Sequence, residues 1–196
     1  MPRGPALDAE AILTATEDVL RRYGLPKSTV VEVAKTLGVS HASVYRHFPS
    51  KVALHEAVTR RWLSRSHQEL ADVAADTAVD PSQRLASWLT ALFAAKREKY
   101  LDDPALFATY GLLVSEHSVV ATEHITELLG QLTRIIGDGV RSGDFASADP
   151  EIEARAVFDA TTAFHHPAHA DQWGRAETRT AFENVRILVL NSIRSH

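Results

Sequence analysis

Apolar side chains recur along this chain at the spacing of a helix, and no stretch alternates apolar and polar residues as a strand does. From Ile12 to Tyr23 the apolar positions return every three or four residues, which predicts one amphipathic helix. Gly24 follows this stripe and is expected to end the helix, because glycine readily adopts the left-handed conformation found there. The pattern predicts an all-α protein.

Capping signals divide the next part of the chain into three further helices. Thr29 is the expected start of the second helix, with Glu32 reaching back to it in a capping box, and Gly38 is its expected end. Ser40 is expected to cap a third helix, which stops at the proline nine residues later. The fourth helix is expected to begin after Ser50 and to continue into the seventies.

Asp-Pro pairs predict further helix starts, because the carboxylate can cap the helix and proline fits its first position. Three such pairs occur: Asp80-Pro81, Asp103-Pro104 and Asp149-Pro150. Between the last two, a long apolar stripe predicts a helix that ends around Ser142-Gly143. These signals extend the helical pattern through the second half of the chain.

The final helix, about residues 176–194, differs from the others because apolar residues surround almost its whole axis. These residues are Phe182, Val185, Ile187, Leu188, Val189, Leu190 and Ile193. A helix that is apolar on every face must be covered on every face, and a second subunit is the simplest cover for the outer side. The alternative is a central core helix in a monomer.

Composition excludes several classes of protein. The chain has 196 residues, 45% of them hydrophobic and 23% charged, and it contains no cysteine. Disulfide frameworks, thiolate zinc sites and cysteine nucleophiles are therefore excluded. Apolar runs are far shorter than the roughly 18 residues that a membrane span needs, and the N-terminus lacks the pattern of a secretory signal. We expect a cytoplasmic protein with no required cofactor.

Charge is distributed unevenly along the chain. Residues 1–65 carry a net charge of +4 within a total of −4, so the remainder carries −8. A basic first third joined to an acidic remainder is what a nucleic-acid-binding module attached to a non-binding body would show. A difference of this size also arises by chance, so charge alone does not assign a function.

The stretch from Thr29 to Phe48 has the pattern of a helix-turn-helix, in which two short helices pack steeply across a tight turn. Ala34 is small where the helices cross, and Gly38 tolerates the positive φ of the turn. The shared apolar wedge comes from Val33, Leu37, Val39 and Val44.

Short or polar side chains are expected to project outward from the second of these helices. They are His41, Ala42, Ser43, Tyr45, Arg46 and His47. Such side chains suit base edges, thymine methyl groups and phosphates. An ordinary amphipathic hairpin of a helical bundle, or a scaffold that binds another protein, would leave this polar outer face without a role.

The segment that continues to Leu54 resembles the DNA-binding domain of the TetR family of bacterial transcriptional regulators. The resemblance covers about a quarter of the chain and rests on Gly38-Val39-Ser40, Tyr45-Arg46-His47-Phe48 and Ser50-Lys51. Ala42 stands where the family often has glycine. The resemblance implies an all-helical homodimer: a three-helix head over residues 1–50, joined by the fourth helix to an antiparallel bundle over residues 51–196 that dimerises through its last two helices.

The resemblance also assigns roles by position. Tyr45 and His47 would contact phosphate or base, Lys51 would contact phosphate, Thr29 would anchor to the DNA backbone, and His41 and Ser43 would read sequence. The expected DNA-contacting set is Thr29, Ser40, His41, Ala42, Ser43, Tyr45, Arg46, His47 and Lys51.

The implied function is a non-enzymatic repressor that binds a near-palindromic operator and is released by a small-molecule effector. Its effector pocket is expected in the C-terminal domain. Candidate lining residues are Trp88, Leu92, Phe107, Tyr110, Leu113, Leu132 and Phe158, for which plain core packing is the alternative.

Histidines in the second part of the chain suggest a further hypothesis. His117, His124, His165 and His169 could supply nitrogen ligands to zinc or nickel, which would make the protein a metal-responsive regulator or a metal-dependent hydrolase. Alternatively, these histidines cap helix ends or face solvent.

Overall fold

The computed structural model describes residues 7–116 and 118–194, except for the side chains at positions 65 and 66. This part of the chain is all-helical, with two 3₁₀ turns at Thr162–Phe164 and Pro167–Gln172. The helices are α1 (Ala9–Lys27), α2 (Val30–Leu37), α3 (His41–Tyr45), α4 (Lys51–Ala75), α5 (Pro81–Asp102), α6 (Pro104–Ser115), α7 (Val119–Ser142), α8 (Pro150–Ala160) and α9 (Ala176–Ile193). Among them, no helix is both long enough and apolar enough to span a membrane.

The chain divides into two compact units. The first contains residues up to 64 together with 103–121, and the second contains 65–102 together with residues from 122 onward. The domain boundary expected at residue 50 remains a prediction.

In the first unit, α1 packs against both α2 and α6. The core includes Ile12, Leu20, Val33, Val44, Leu54 and Leu106. Gly24 has a φ of 72°, so regular helical geometry breaks there as the sequence predicts, although a further turn extends the helix to Lys27. The inner face of α1 therefore supports the short helices that follow it.

Most of the expected helix caps are present. The Thr29 hydroxyl accepts from the N–H of Glu32, the Ser40 hydroxyl accepts from the N–H of Ser43, and Asp149 accepts from two N–H groups of α8. The Asp80 carboxylate likewise accepts from the N–H of Gln83, at 2.9 Å.

Two capping details are corrected by the structure. Glu32 does not complete a capping box with Thr29, because its carboxylate pairs with Lys35 while the N–H of Thr29 bonds the carbonyl of Lys27. Asp103 makes no side-chain cap on α6, because its carboxylate instead accepts hydrogen bonds from Arg21 of α1. In both cases the carboxylate binds a basic side chain instead of a backbone N–H at the start of the helix.

The second unit is built around large aromatic side chains. The rings of Phe93, Phe164, Trp173 and Phe182 pack against one another, with Phe93 and Phe182 only 4.8 Å apart between centroids. The buried indole of Trp173 donates to the carbonyl of Ala163 at 2.9 Å, which satisfies its N–H inside the core. This cluster joins α5 and α9 to the segment between α8 and α9.

The packing at the end of α7 can be tested by a single substitution. The N–H groups of Asp144 and Phe145 both bond the carbonyl of Gly139, and the buried ring of Phe145 lies where a Cβ on Gly139 would be. Gly139→Ala is therefore expected to lower the free energy of unfolding by about 1–3 kcal/mol through overpacking.

The matched control is Gly130→Ala on the same helix, where no atom lies within 4 Å of the added carbon. This change is expected to raise stability by about 0.5–1 kcal/mol, because alanine favours the helix. Urea unfolding of both variants measures the difference. Equal effects would show that Phe145 does not occupy the space over Gly139.

Candidate nucleic-acid interface and interior polar cluster

The turn between α2 and α3 is held by local hydrogen bonds. Gly38 adopts the left-handed conformation with φ 66°, and the N–H of Val39 bonds the carbonyl of Ala34 at 3.0 Å. Ser40 then caps α3 through the N–H of Ser43, at 3.2 Å. Because each bond spans only a few residues, the sequence of this segment is sufficient to produce the tight turn.

The turn orients α3 with one apolar side chain inward and its polar side chains outward. Val44 is fully buried, whereas Tyr45 is 45% exposed. The structure places seven residues of the expected DNA-contacting set on the surface: Ser40, His41, Ala42, Tyr45, Arg46, His47 and Lys51. The other two, Thr29 and Ser43, are half-buried.

Contacts among these exposed residues are few and weak. Tyr45 meets the ring of His41 edge-on, with 6.4 Å between centroids. The Ser43 hydroxyl lies 2.9 Å from that of Ser40 and accepts from the Arg46 guanidinium at 3.3 Å. Such exposed contacts contribute little to stability, so these groups are available to an external partner.

A buried histidine on α4 fixes the segment that leads into α2. The His55 ring nitrogen Nε2 lies 3.1 Å from both the hydroxyl and the carbonyl oxygen of Ser28. Burial lowers the pKa of His55, so the neutral ring donates to the carbonyl. Sequence reasoning missed this pair, because nothing near position 55 indicates a partner 27 residues earlier.

Two arginines of the basic first third are used inside the first unit. Arg61 binds the buried carboxylate of Glu17 at 2.7 Å, and Arg21 binds Glu17 at 3.0 Å and Asp103 at 2.9 Å. The hydrogen bond with Asp103 raises the pKa of Arg21. These two guanidinium groups join α1, α4 and α6, so they serve the fold of the first unit rather than contact with DNA.

The candidate pocket residues are divided between the two units, and all seven are buried. Phe107 and Tyr110 each lie 6.3 Å from the ring of Trp62 within the first unit. Trp88 in the second unit donates to the Gln131 side chain at 2.8 Å. Their shared role in an effector pocket remains a prediction, and core packing accounts for these contacts.

The interior of the second unit contains a chain of polar side chains from α4, α5 and α7. Lys96 Nζ lies 2.7 Å from Nε2 of His124, whose Nδ1 lies 2.5 Å from Nε2 of His67. His67 Nδ1 lies 2.7 Å from the carboxylate of Glu127. One set of tautomers satisfies all three contacts: Lys96 donates to His124, His124 to His67, and His67 to Glu127.

Desolvation lowers the pKa of each basic group in this chain of polar side chains. Burial, together with the like charge of Lys99, lowers the pKa of Lys96 to about 7. Burial also lowers the pKa of His124, and neighbouring Lys96 acts in the same direction. The pKa of His67 is lowered by burial, although Glu127 opposes the shift. Both imidazoles are therefore neutral at pH 7, which agrees with the donor order above.

The structure gives the expected metal-ligating histidines that it describes separate surroundings. His117 lies outside the described residues, and His124 belongs to the polar chain. His165 donates to the carbonyl of Phe158 at 2.9 Å, and its pKa is lowered by burial to about 4. The ring of His169 is 6.3 Å from that of His166. Within residues 7–116 and 118–194, no three histidine or acidic side chains are grouped to hold a metal ion.

An all-helical chain with a helix-turn-helix and an exposed second helix defines a helix-turn-helix transcriptional regulator. Residues 12–58 match the family profile described as bacterial regulatory proteins, tetR family. Residues 81–186, more than half of the chain, match the tetracyclin repressor-like C-terminal domain. The chain belongs to the TetR family of transcriptional regulators, which are not enzymes.

Individual relatives resemble part or all of the chain. It is 33% identical over 108 residues to an uncharacterized HTH-type transcriptional regulator of Mycobacterium tuberculosis, covering 55% of this chain and 51% of the relative. It is 29% identical over 102 residues to the HTH-type transcriptional repressor KstR2 of Mycolicibacterium smegmatis, covering 50% and 48%. The chain thus spans about half the length of these curated relatives.

A solved structure shows the same fold over nearly the whole chain. The transcriptional regulator FadR of Bacillus subtilis, in complex with stearoyl-CoA, superimposes with a TM-score of 0.69. The match covers 95% of this chain and 100% of that one, at 15% identity. At this identity the similarity shows the fold alone.

Proposed function

We propose that the protein is a homodimeric repressor that binds a near-palindromic operator and is released by a small-molecule effector. The observation that carries the proposal is the surface of α3, where Val44 is buried and the polar side chains around it face solvent. A helix that presents such side chains beyond a tight turn can enter the major groove. The scaffold alternative assigns this surface no role.

Contacts to the DNA backbone and bases divide among the exposed residues. Arg46 and Lys51 are exposed cations, suited to phosphate contacts that fix orientation. His41 and Tyr45 present rings and polar atoms suited to base edges or sugar. Because several phosphates are neutralised on binding, affinity for duplex DNA is expected to fall steeply with added salt.

The outer surfaces of α8 and α9 support a dimer through the last two helices. On α9, Phe182 and Val189 are buried, whereas Leu188 is 67% exposed and Ile187 is 52% exposed. On α8, Ile152 is also exposed. Large apolar side chains on two adjacent helices are suited to burial by a second copy. The exposure of Leu188 counts against a central core position for α9.

Repression and release by an effector are proposed from two relatives. KstR2 is named a repressor, and FadR is described in complex with stearoyl-CoA. We extend the first property to this chain because the matched segment includes half of its length. An effector that favours a dimer with altered spacing between its two α3 helices would lower the affinity for DNA by shifting the population.

The test is selection of random duplexes on the purified protein. We expect recovery of a two-fold-symmetric site, with half-sites separated by about 10 base pairs or a multiple of that distance. Leu188→Glu is expected to give monomers that lose the preference for two half-sites. Recovery of no sequence, or of an asymmetric site that Leu188→Glu binds equally well, would contradict the proposal.

A further inference from the structure

The second unit contains an open cavity between α5 and α9 that the proposed function does not use. Its volume is about 570 Å³, and its apolar lining includes Phe93 of α5 and Phe182 of α9. Two arginines face the same space, Arg97 from α5 and Arg179 from α9. The cavity lies in the size range of small-molecule sites, which combine an apolar wall with a few polar groups.

The two arginines lack counterions within the part of the chain that the structure describes. Neither Arg97 nor Arg179 forms an ion pair with a described residue. The Nε atom of Arg97 is moreover buried and has no hydrogen-bond acceptor among those residues. Buried donors are normally satisfied, so this group is suited to an acceptor oxygen supplied from outside.

Neighbouring charges favour an anion rather than a cation in this cavity. Glu183 is the one acid among the described lining residues, and its carboxylate is bound by Arg186. Elsewhere on α5, Arg84 differs in having a counterion, because its Nη1 pairs with Asp138 at 2.8 Å and donates to the carbonyl of Ala74 at 3.1 Å, although its Nε also has no acceptor among the described residues. The unpaired guanidinium groups of the cavity therefore define a positive end beside an apolar wall.

We propose that this cavity binds a small organic acid, with its carboxylate between Arg97 and Arg179 and its apolar part against Phe93 and Phe182. A guanidinium group presents a planar set of donors that matches the two oxygens of a carboxylate. The site shares no residue with the expected effector pocket and requires no DNA. Failure of this site would therefore leave DNA binding and the expected effector pocket of the proposed function unaffected.

The experiment measures binding of octanoate to the full chain by isothermal titration calorimetry. Arg97→Gln and Arg179→Gln are each expected to weaken octanoate binding by about tenfold, because each removes a charge-assisted hydrogen bond. The matched control, Arg134→Gln, changes an exposed arginine of α7 and is expected to leave the affinity unchanged. Because Arg179 is exposed, its variant tests the site even if Arg97→Gln does not fold.

Two further probes separate the parts of the ligand. Octanol lacks the carboxylate and inorganic phosphate lacks the apolar chain, so both are expected to bind at least about tenfold more weakly than octanoate. Octanol binding as tightly as octanoate would overturn the proposal. Unchanged octanoate affinity in both arginine variants would also overturn it. The same holds if the variants change only the oligomeric state measured by sedimentation, because the cavity would then be an interface between copies.

Discussion

Replacing both Tyr45 and His47 with alanine is expected to weaken binding to the selected duplex by at least about 100-fold, because a good base contact is worth about 1–3 kcal/mol. The dimer is expected to remain intact, because both side chains are exposed and neither contributes to the core. The only ring contact that the structure gives Tyr45 among the described residues is the edge of His41.

Fluorescence anisotropy with a labelled duplex measures this change, and sedimentation checks the dimer. Tyr23→Ala is the matched control, because Tyr23 lies on α1 and is 48% exposed against 45% for Tyr45. It is expected to leave DNA affinity unchanged. If the double variant of Tyr45 and His47 bound DNA as well as the parent protein, the outer face of α3 would not be the DNA-binding surface, and the scaffold hypothesis would be favoured.

Lys96→Met is expected to stabilise the protein at pH 7 and to remove part of its pH dependence. The Lys96 pKa is about 7 in the folded chain against an ordinary 10.5, so folding opposes its protonation. This difference corresponds to a penalty of up to about 4 kcal/mol at pH 7. Removing the lysine leaves Nε2 of His124 without this donor, at a cost of about 1–2 kcal/mol. A net gain of about 2 kcal/mol is therefore expected.

The sign of the pH effect follows from proton binding. Between pH 7 and pH 10.5 the unfolded chain holds the Lys96 proton more tightly than the folded chain, so parent stability rises with pH in this window. The advantage of Lys96→Met should therefore shrink as pH rises towards 10.5. His165, with a pKa of about 4 against 6.5, destabilises the parent protein as pH falls through that range, which lies below the window in which the two proteins are compared.

Urea unfolding of both proteins at several pH values measures this difference. Lys99→Met, at a half-buried lysine three residues further along α5, is the comparison variant: it removes only a like charge near Lys96 and is expected to raise stability at pH 7 much less than Lys96→Met. A Lys96→Met protein that is less stable than the parent at every pH would show that the polar chain stabilises the fold by more than the burial of its lysine costs.

The local features of the DNA-binding head could be predicted from the sequence. Thr29, Gly38 and Ser40 act on groups within five residues of themselves, so their types and spacing are sufficient to predict α2, α3 and the turn between them. Val44 is buried while its polar neighbours are exposed because the helical period turns them to different faces of α3. For this reason the motif and the family could be identified without coordinates.

Partner choice between distant side chains could not be predicted in this way. Arg61 meets Glu17 across 44 residues, and His67 meets His124 across 57. Many acids and bases in the sequence could serve either partner, and local propensity does not distinguish among them. The sequence therefore suggests a metal ligand at His124, whereas the structure places this side chain against Lys96 and His67.

The sequence by itself determined the helices, their caps and the outward face of α3, because periodicity and capping depend on neighbours along the chain. Tertiary structure alone decided which charged side chains pair within the fold and which remain accessible to a ligand. Arg21 and Arg61 both bind the buried carboxylate of Glu17, whereas Arg97 and Arg179 face a cavity without a counterion among the described residues. The physical reason is desolvation: burial makes the cost of a charge depend on partners that only the folded chain brings together.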